Sequence, residues 1–305
     1  MAAKGNGSTS AQFVLLGFSE QGHVQVVLFV VLLVLHVITL LGNAGLLVLI
    51  SLLAQLHTPM YFFLSSQSFL ELCYSSCITP RLLRALLHED KAISHTECLM
   101  QFYFYVAFAT TECCLLAAMA YDRCVAVCHP CSTPMCRMSL LRPAQLKNES
   151  ELFTFRLSFC GPIDHFYCEG PPLFTLSCLD PVPNELGTFL TAGFSLAATI
   201  LAILLSYALI LAASILAILL SYALSLREAF STCASHLAAV ALFHGSLVSM
   251  YCWRSSSRSQ QPDNVASVFY TMVTPMLNPF ICSLRNQEVK AGLWRLMGRK
   301  HSAEK

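Results

Sequence analysis

The most chemically distinctive stretch of the sequence is an acid–arginine pair at the end of a long apolar run. From Leu99 to Tyr121 the only formally charged residue is Glu112, and Asp122 and Arg123 follow directly. A partly desolvated ion pair is strong when made and costly when half broken, so it can hold a helix end in one of two states. Arg123 could instead extend its side chain to lipid headgroups, and the spacing alone leaves both interpretations open.

Further polar residues interrupt the apolar stretches elsewhere in the chain. Glu71 and Glu112 each lie within an apolar run, and Asn43 lies within the first one. A carboxyl group inside a membrane is costly to bury, so a functional role is the default interpretation. The amide of Asn43 needs a hydrogen-bond partner at that depth.

Composition places the chain in a membrane. Apolar residues make up 56% of the 305 residues and charged residues 11%, whereas soluble domains contain about 25% charged residues. The net charge of +1 argues against a nucleic-acid-binding surface. The sequence has no HExxH, glycine-rich phosphate loop or GxSxG motif, so we predict no enzyme, no catalytic residue and no cofactor. His165 and Cys168 are too few ligands to predict a metal site.

About 20 apolar residues are needed to cross the roughly 30 Å of hydrocarbon in a bilayer. Six runs meet this requirement, at residues 24–50, 60–79, 99–121, 186–226, 231–253 and 265–284. Basic residues crowd the tail at 285–305, which predicts a cytoplasmic C-terminus. The sequon at Asn6 predicts glycosylation and an extracellular segment at 1–23. Opposite locations of the two termini require an odd number of spans, and six is even.

Two regions could account for this parity conflict. Residues 130–160 are too polar and interrupted to cross a bilayer alone, whereas the run 186–226 is about twice as long as one span needs. That run contains ILAILLSYAL twice, at Ile200–Leu209 and at Ile215–Leu224. It could form one over-long helix or a hairpin of two short spans. The lack of Gly or Pro in its middle favours one helix.

Four sequence blocks resemble the signatures of vertebrate olfactory receptors, which are seven-helix, rhodopsin-like G-protein-coupled receptors. With Cys160–Pro162 and His165–Cys168, the resemblance extends from about Phe13 to Lys290. Several blocks in the right order are more specific than one alone. The resemblance implies an all-α, polytopic transmembrane helical bundle. The four blocks are Leu56–Leu64 (LHTPMYFFL), Met119–Pro130 (MAYDRCVAVCHP), Ala229–Leu237 (AFSTCASHL) and Pro275–Asn286 (PMLNPFICSLRN).

The resemblance also implies roles for the acid–arginine pair. Arg123 would be released towards a G protein, and Asp122 would be its partner in the resting state. Tyr207 resembles the fifth-helix tyrosine that stabilises the active state of the family.

The same resemblance implies a polar cluster within the bundle. Asn43, Glu71 and Asn278 match the residues that couple helix rearrangement to activation. Pro279 would break its helix and leave backbone groups for Asn278 or for water.

Two disulfides are implied, Cys98–Cys168 and Cys160–Cys178, and both suit an oxidising exterior. The alternative is that these thiols remain free. If nothing crosses the membrane between the third run and Cys168, then Cys98 and Cys168 lie on opposite faces and cannot bond. The alternative is that the polar stretch between Pro130 and Cys160 passes back through the bundle, shielded by its neighbours.

The resemblance implies a pocket below Cys98 whose largely apolar lining suits a small volatile molecule with one or two hydrogen bonds. Ordinary helix packing is the alternative role for any one of these residues. At His244 the family usually has tyrosine, and Cys282 replaces another tyrosine. The pocket residues are Tyr105, Val106, Ala109, Thr110, Thr191, Ser195, His244, Leu247, Tyr251 and Thr271.

The sequence therefore predicts a plasma-membrane odorant receptor. Its partners would be a small volatile odorant, a heterotrimeric G protein of the stimulatory or olfactory type, and the lipid bilayer, without nucleic acid. The missing fourth span leaves a second possibility, a non-signalling copy retained in the cell. A third possibility, from Glu71 and Glu112, is an ion or proton transporter or channel.

Overall fold

The computed structural model describes residues 12–14, 22–87, 92–128, 168, 182–219, 226–252, 269–283, 289–291 and 294. Asn6, the Cys160–Cys178 pair and the side chain of Tyr251 lie outside the described residues. The principal helices are α1 (Gly22–Leu52), α2 (Pro59–Leu87), α3 (His95–Cys128), α4 (Val182–Leu219), α5 (Leu226–Cys252) and α6 (Thr274–Ser283). Shorter elements are the strands β1 (Gln12–Val14) and β2 (Ala92–Ser94), a 3₁₀ turn (Ala54–Leu56) and a π-helical turn (Phe269–Val273).

The bundle has the burial pattern of a membrane protein. Large apolar side chains such as Val30, Leu41, Phe194 and Leu204 are exposed, whereas many polar side chains are buried. By length and composition, three of the described helices could cross a membrane, at His23–Leu52, Thr96–Cys128 and Leu190–Leu216. The described part of α5 contains a shorter apolar stretch, Cys233–Val248.

Helix α4 is continuous from Val182 to Leu219. With 38 residues it is about 57 Å long, so it exceeds the hydrocarbon thickness. This matches the single over-long helix, and a hairpin reversal before Leu219 is wrong. The sequence after Gly193 has no Gly or Pro that would interrupt the helix.

A small antiparallel sheet adds to the predicted all-α fold. Phe13 of β1 pairs with Ile93 of β2, immediately before α3. Helix α3 then begins with a capping box, in which Ser94 N–H donates to Glu97 and Glu97 N–H donates to Ser94 Oγ. The first segment of the chain is thereby attached to the start of α3.

Cys98 and Cys168 form a disulfide, with 5.4 Å between their Cα atoms. The two cysteines therefore lie at the same end of the bundle, and the alternative in which nothing crosses the membrane between the third run and Cys168 is wrong. Helix α3 has 34 residues and is about 50 Å long, so its two ends are far apart. Cys168 is bonded near the start of α3, whereas Cys128 lies at its other end. We call the two ends of the bundle the Cys98 end and the Arg123 end.

The backbone of α1 closely approaches the ring of Pro279 on α6 at Gly42. A Cβ atom at Gly42 would lie 3.3 Å from Pro279 Cγ, whereas a Cβ atom at Gly45 would meet nothing within 4 Å. A hydrogen in place of a side chain lets α1 contact the proline ring directly.

We expect Gly42→Val to lower the thermal midpoint of the detergent-purified protein, through a loss of about 1–3 kcal/mol in the free energy of unfolding. The added methyl groups would push α1 away from Pro279. Gly45→Val, three residues along the same helix, is the matched control and should change the midpoint little. Equal effects of the two substitutions in a thermal-shift assay would contradict the close approach.

Candidate functional site

Two carboxyl groups and one amide meet in the centre of the bundle. Glu71 of α2, Glu112 of α3 and Asn278 of α6 are 1%, 5% and 3% exposed. Asn278 Nδ2 donates to Glu71 Oε1 and, at 3.4 Å, to Glu112 Oε1. Two carboxyl groups side by side in a water-poor interior repel each other when ionised, and the amide hydrogens offset that repulsion. The contact joins three helices through one side chain.

Helix α2 contributes a polar stripe to this centre. Gln67, Glu71, Ser75 and Thr79 are buried and follow one another at intervals of four residues, which places them along one face of the helix. The Gln67 amide lies beside Glu112. Sequence analysis identified Glu71 only, although the four-residue spacing was a signal for the other three.

The same stripe connects α2 to two further elements. Ser75 Oγ is 2.8 Å from Nδ1 of His36 on α1. Thr79 Oγ1 donates to the Met272 sulfur, at 3.2 Å, in the π-helical turn before α6. Each buried hydroxyl therefore has a partner on a neighbouring element, as desolvated polar groups require.

Asn43 compensates for a proline in another helix. Pro279 has no N–H, so it cannot donate to the carbonyl of Pro275 four residues earlier. Asn43 Nδ2 donates to that carbonyl at 3.2 Å and to Thr39 O at 3.0 Å. The expectation that Pro279 breaks its helix is wrong, because α6 continues to Ser283. The freed carbonyl accepts a hydrogen bond from Asn43 rather than from Asn278.

At the Arg123 end, a hydrogen bond joins α4 to α5. Tyr207 OH lies 2.7 Å from His236 Nδ1, and the two rings stack with their centroids 6.0 Å apart. Arg123 is close enough for its charge to act on both side chains. His236 was inside a motif block but had no predicted role. The pairing of Arg123 with Asp122 stays a prediction.

Apolar contacts close the bundle around this hydrogen bond. Cys124 of α3, Ile210 of α4 and Cys233 of α5 are buried in one cluster, against which Tyr207 also packs. The Arg123 ends of the three helices are therefore in contact.

Part of the predicted pocket is assembled towards the Cys98 end. Tyr105, Ala109 and Leu247 belong to one apolar cluster, against which Val106 packs. Thr110, His244 and Thr271 are also buried. Sequence reasoning missed Tyr74, whose ring lies 5.7 Å from that of Tyr105.

Two predicted pocket residues on α4 direct their hydroxyl groups into their own helix. Thr191 Oγ1 donates to Gly187 O at 2.9 Å, and Ser195 Oγ donates to Thr191 O at 2.8 Å. Neither residue belongs to the apolar cluster that contains Tyr105 and Leu247. Their contribution to a pocket stays a prediction.

A buried glutamine attaches the loop residue Cys168 to the helices. Gln101 of α3 accepts a hydrogen bond from Cys168 N–H at 3.3 Å and donates to the carbonyl of Cys77 on α2 at 3.3 Å. Together with the disulfide to Cys98, these bonds hold Cys168 over the Cys98 end of α2 and α3.

Comparisons with known proteins agree with this architecture. The family model for olfactory receptors matches residues 32–300. Human olfactory receptor 5B21 is 44% identical over 306 residues, covering 96% of this chain and 98% of that protein. Human olfactory receptor 5F1 is also 44% identical, covering 98% of both chains. The crystal structure of squid rhodopsin has a TM-score of 0.68 at 13% identity, covering 92% of this chain and 87% of that chain. This last likeness concerns the fold.

The role of Asn43 predicts a specific pattern of coupling. Asn43→Ala should lower the free energy of unfolding by about 1–3 kcal/mol, because the buried Pro275 carbonyl loses its donor. Pro279→Ala restores an N–H that can bond that carbonyl within α6. In the Pro279→Ala background the cost of Asn43→Ala should therefore be smaller, by about 1 kcal/mol.

A double-mutant cycle in detergent-solubilised protein measures this coupling. Ser51→Ala is the matched control, since Ser51 Oγ donates only within α1, to Leu47 O. It should be additive with Pro279→Ala. Additivity of Asn43→Ala with Pro279→Ala as well would contradict the assignment.

Proposed function

The chain belongs to the olfactory receptor family, and we propose that it binds a small, largely apolar odorant between α3 and α5 and activates a heterotrimeric G protein. The observation that carries this proposal is the order of residues along α3. Tyr105 and Ala109 lie on the Cys98 side of Glu112, in an apolar cluster that continues along α3 to Ala120. Glu112 lies in the polar centre, and Arg123 lies at the far end. One helix therefore passes through the ligand site, the centre of the bundle and the coupling end.

Helix α5 supplies the second connection between these sites. Leu247 packs in the apolar cluster at one end, and His236 bonds to Tyr207 nearer the other. A ligand that packs better when α5 is displaced would favour separation of the helices at the Arg123 end. Binding can shift such an equilibrium only by its difference in affinity for the two arrangements.

We propose that the Arg123 end faces the cytoplasm and the Cys98 end faces outward. The basic residues at 285–305 support the first assignment. A disulfide at Cys98 and the sequon at Asn6 support the second. The plasma membrane is the proposed location, and a stimulatory or olfactory G protein, which raises cyclic AMP, is the proposed partner.

The polar centre favours a receptor over an ion or proton pathway. Glu71 and Glu112 are almost fully buried and share the amide of Asn278. Such a contact joins helices through buried, paired groups, whereas conduction requires a polar path that is open to water. Transporters also have paired broken helices in two related halves, while the repeat in this sequence is a local one of ten residues.

The first prediction of this proposal concerns signalling. Cultured cells that express the chain with a cyclic AMP reporter should respond to members of a broad panel of volatile molecules. Arg123→Ala should abolish the response while leaving surface labelling unchanged, because the variant keeps the bundle and loses the coupling group. Arg81→Ala is the matched control, since Arg81 pairs with the exposed Glu97 at the opposite end.

Three results would overturn the proposal, and each has a different meaning. A response that survives in Arg123→Ala would exclude the proposed coupling. Currents without ligand that disappear in Glu71→Ala would favour a channel. An unlabelled surface, with expression retained inside the cell, would favour a non-signalling copy.

The second prediction concerns the hydrogen bond at the Arg123 end. A typical hydrogen bond contributes about 1 kcal/mol, which is about a fivefold change in an equilibrium constant. Since the bond between Tyr207 and His236 joins α4 to α5 in the closed arrangement, Tyr207→Phe should raise basal cyclic AMP by about that factor.

Ser206→Ala is the matched control for Tyr207→Phe. Ser206 is the preceding residue, and its hydroxyl donates within α4 to Ala202 O, so its loss should leave basal signalling unchanged. A fall in both basal and evoked signalling in Tyr207→Phe would contradict this prediction. It would instead support the role that the family resemblance implies for Tyr207, stabilisation of the active state.

A further inference from the structure

The inward face of α5 carries a histidine in the part of the bundle proposed to bind ligand. His236, Val240 and His244 follow at intervals of four residues, so they lie along one face of α5. This face points into the bundle, because His236 bonds to Tyr207 of α4 and lies near the Leu116 carbonyl of α3. His244 is accordingly 5% exposed.

The hydrogen bonding of the His244 ring shows which of its two nitrogen atoms is left to accept a hydrogen bond. His244 Nδ1 lies 3.2 Å from the carbonyl oxygen of Val240. A carbonyl can only accept, so Nδ1 carries the hydrogen, and in the neutral imidazole Nε2 is left as an acceptor with a lone pair. The bond to Val240 also holds the ring in place on its own helix.

The Nε2 atom is buried, and within the described part of the chain it has no hydrogen-bond partner. Its neighbour Phe243 packs edge-on against the ring, with centroids 5.4 Å apart at 75°. Phe243 and Leu247 both belong to the apolar cluster that includes Tyr105 and Ala109. A buried acceptor without a donor is costly, and an apolar molecule with one donor would satisfy it.

We propose that the ligand of this receptor is a small alcohol or phenol whose hydroxyl group donates to His244 Nε2, while its carbon skeleton packs in the apolar cluster. This inference rests on the proposed function and adds the chemical class of the ligand. Ethers, esters, ketones and alkanes have no O–H or N–H donor for Nε2. Carboxylic acids and amines are ionised at neutral pH, and the apolar surroundings penalise burial of their charge.

The test uses matched pairs of probes. Each alcohol or phenol of about six to twelve carbons is paired with its own methyl ether, which keeps the skeleton and removes the donor. Cyclic AMP responses are recorded for the native chain. In each pair that activates, the concentration needed for a response should be about tenfold lower for the alcohol than for its ether. The reason is that the ether cannot donate the hydrogen bond around which the site is built.

Variants of His244 then assign the donor contact. His244→Phe should raise the concentration needed for the alcohol about tenfold, to that of the ether, without changing the ether response. His244→Gln keeps an acceptor oxygen and should restore part of the preference for the alcohol. His23→Phe, at the exposed start of α1, is the control, and surface labelling is measured for every variant.

The outcomes separate the inference from the proposed function. A panel in which neither alcohols nor ethers activate, nor any volatile of the broader panel, overturns the proposed function and the inference with it. Activation by ethers as readily as by alcohols overturns the inference alone, as does an unchanged alcohol-to-ether ratio in His244→Phe. If His244→Phe does not reach the surface, the ratio in the native chain and in His244→Gln decides.

Discussion

The fold depends on satisfying polar groups where water is scarce, and the amide of Asn278 is the clearest case. It reaches Glu71 on α2 and Glu112 on α3 from α6, so three helices share one set of hydrogen bonds. In hydrocarbon the apolar side chains contribute little to helix association, because lipid tails are as apolar as leucine. Buried polar contacts and close packing must therefore set the arrangement, and a shift of any one of these helices changes the partners of the other two.

The polar contacts also explain why proline is tolerated within α6. Pro279 removes one donor from the helix, and Asn43 supplies a replacement from α1. Gly42, the preceding residue, allows the close approach that this bond needs. Gly42 and Asn43 thus both contribute to the contact between α1 and α6. Gly42 leaves space for it, and Asn43 donates a hydrogen bond. Asn278 of the polar centre and Pro279 of this contact both lie on α6, so a displacement of α6 would change both sets of contacts.

Sequence reasoning identified the residues of the site better than their partners. The family of the chain and the burial of Glu71, Asn43 and Asn278 were accessible, because motif blocks and polar residues in apolar runs are local features. The pairing of Asn43 with the Pro275 carbonyl joins residues 232 positions apart, and no local pattern specifies such a contact. The disulfide between Cys98 and Cys168 was predicted from the family resemblance alone, because the count of apolar runs placed the two residues on opposite faces of the membrane. Counting apolar runs finds only the segments that could cross a membrane alone. A segment that is shielded from lipid by neighbouring helices need not be apolar throughout, so the count can miss it.

The duplicated segment shows how a large sequence change can spare the site. Ile203, Ser206 and Tyr207 of the first ILAILLSYAL copy are the residues that face the bundle. The second copy begins at Ile215, which is 50% exposed, and it starts about 12 Å beyond Tyr207 along the axis. The two copies start fifteen residues apart, which is four helical turns plus about 60°. On one continuous helix, a residue of the second copy therefore points in a different direction from its counterpart in the first copy and cannot contact the same neighbours. As far as Leu219, the second copy therefore continues α4 beyond the contact between Tyr207 and His236, which belongs to the first copy.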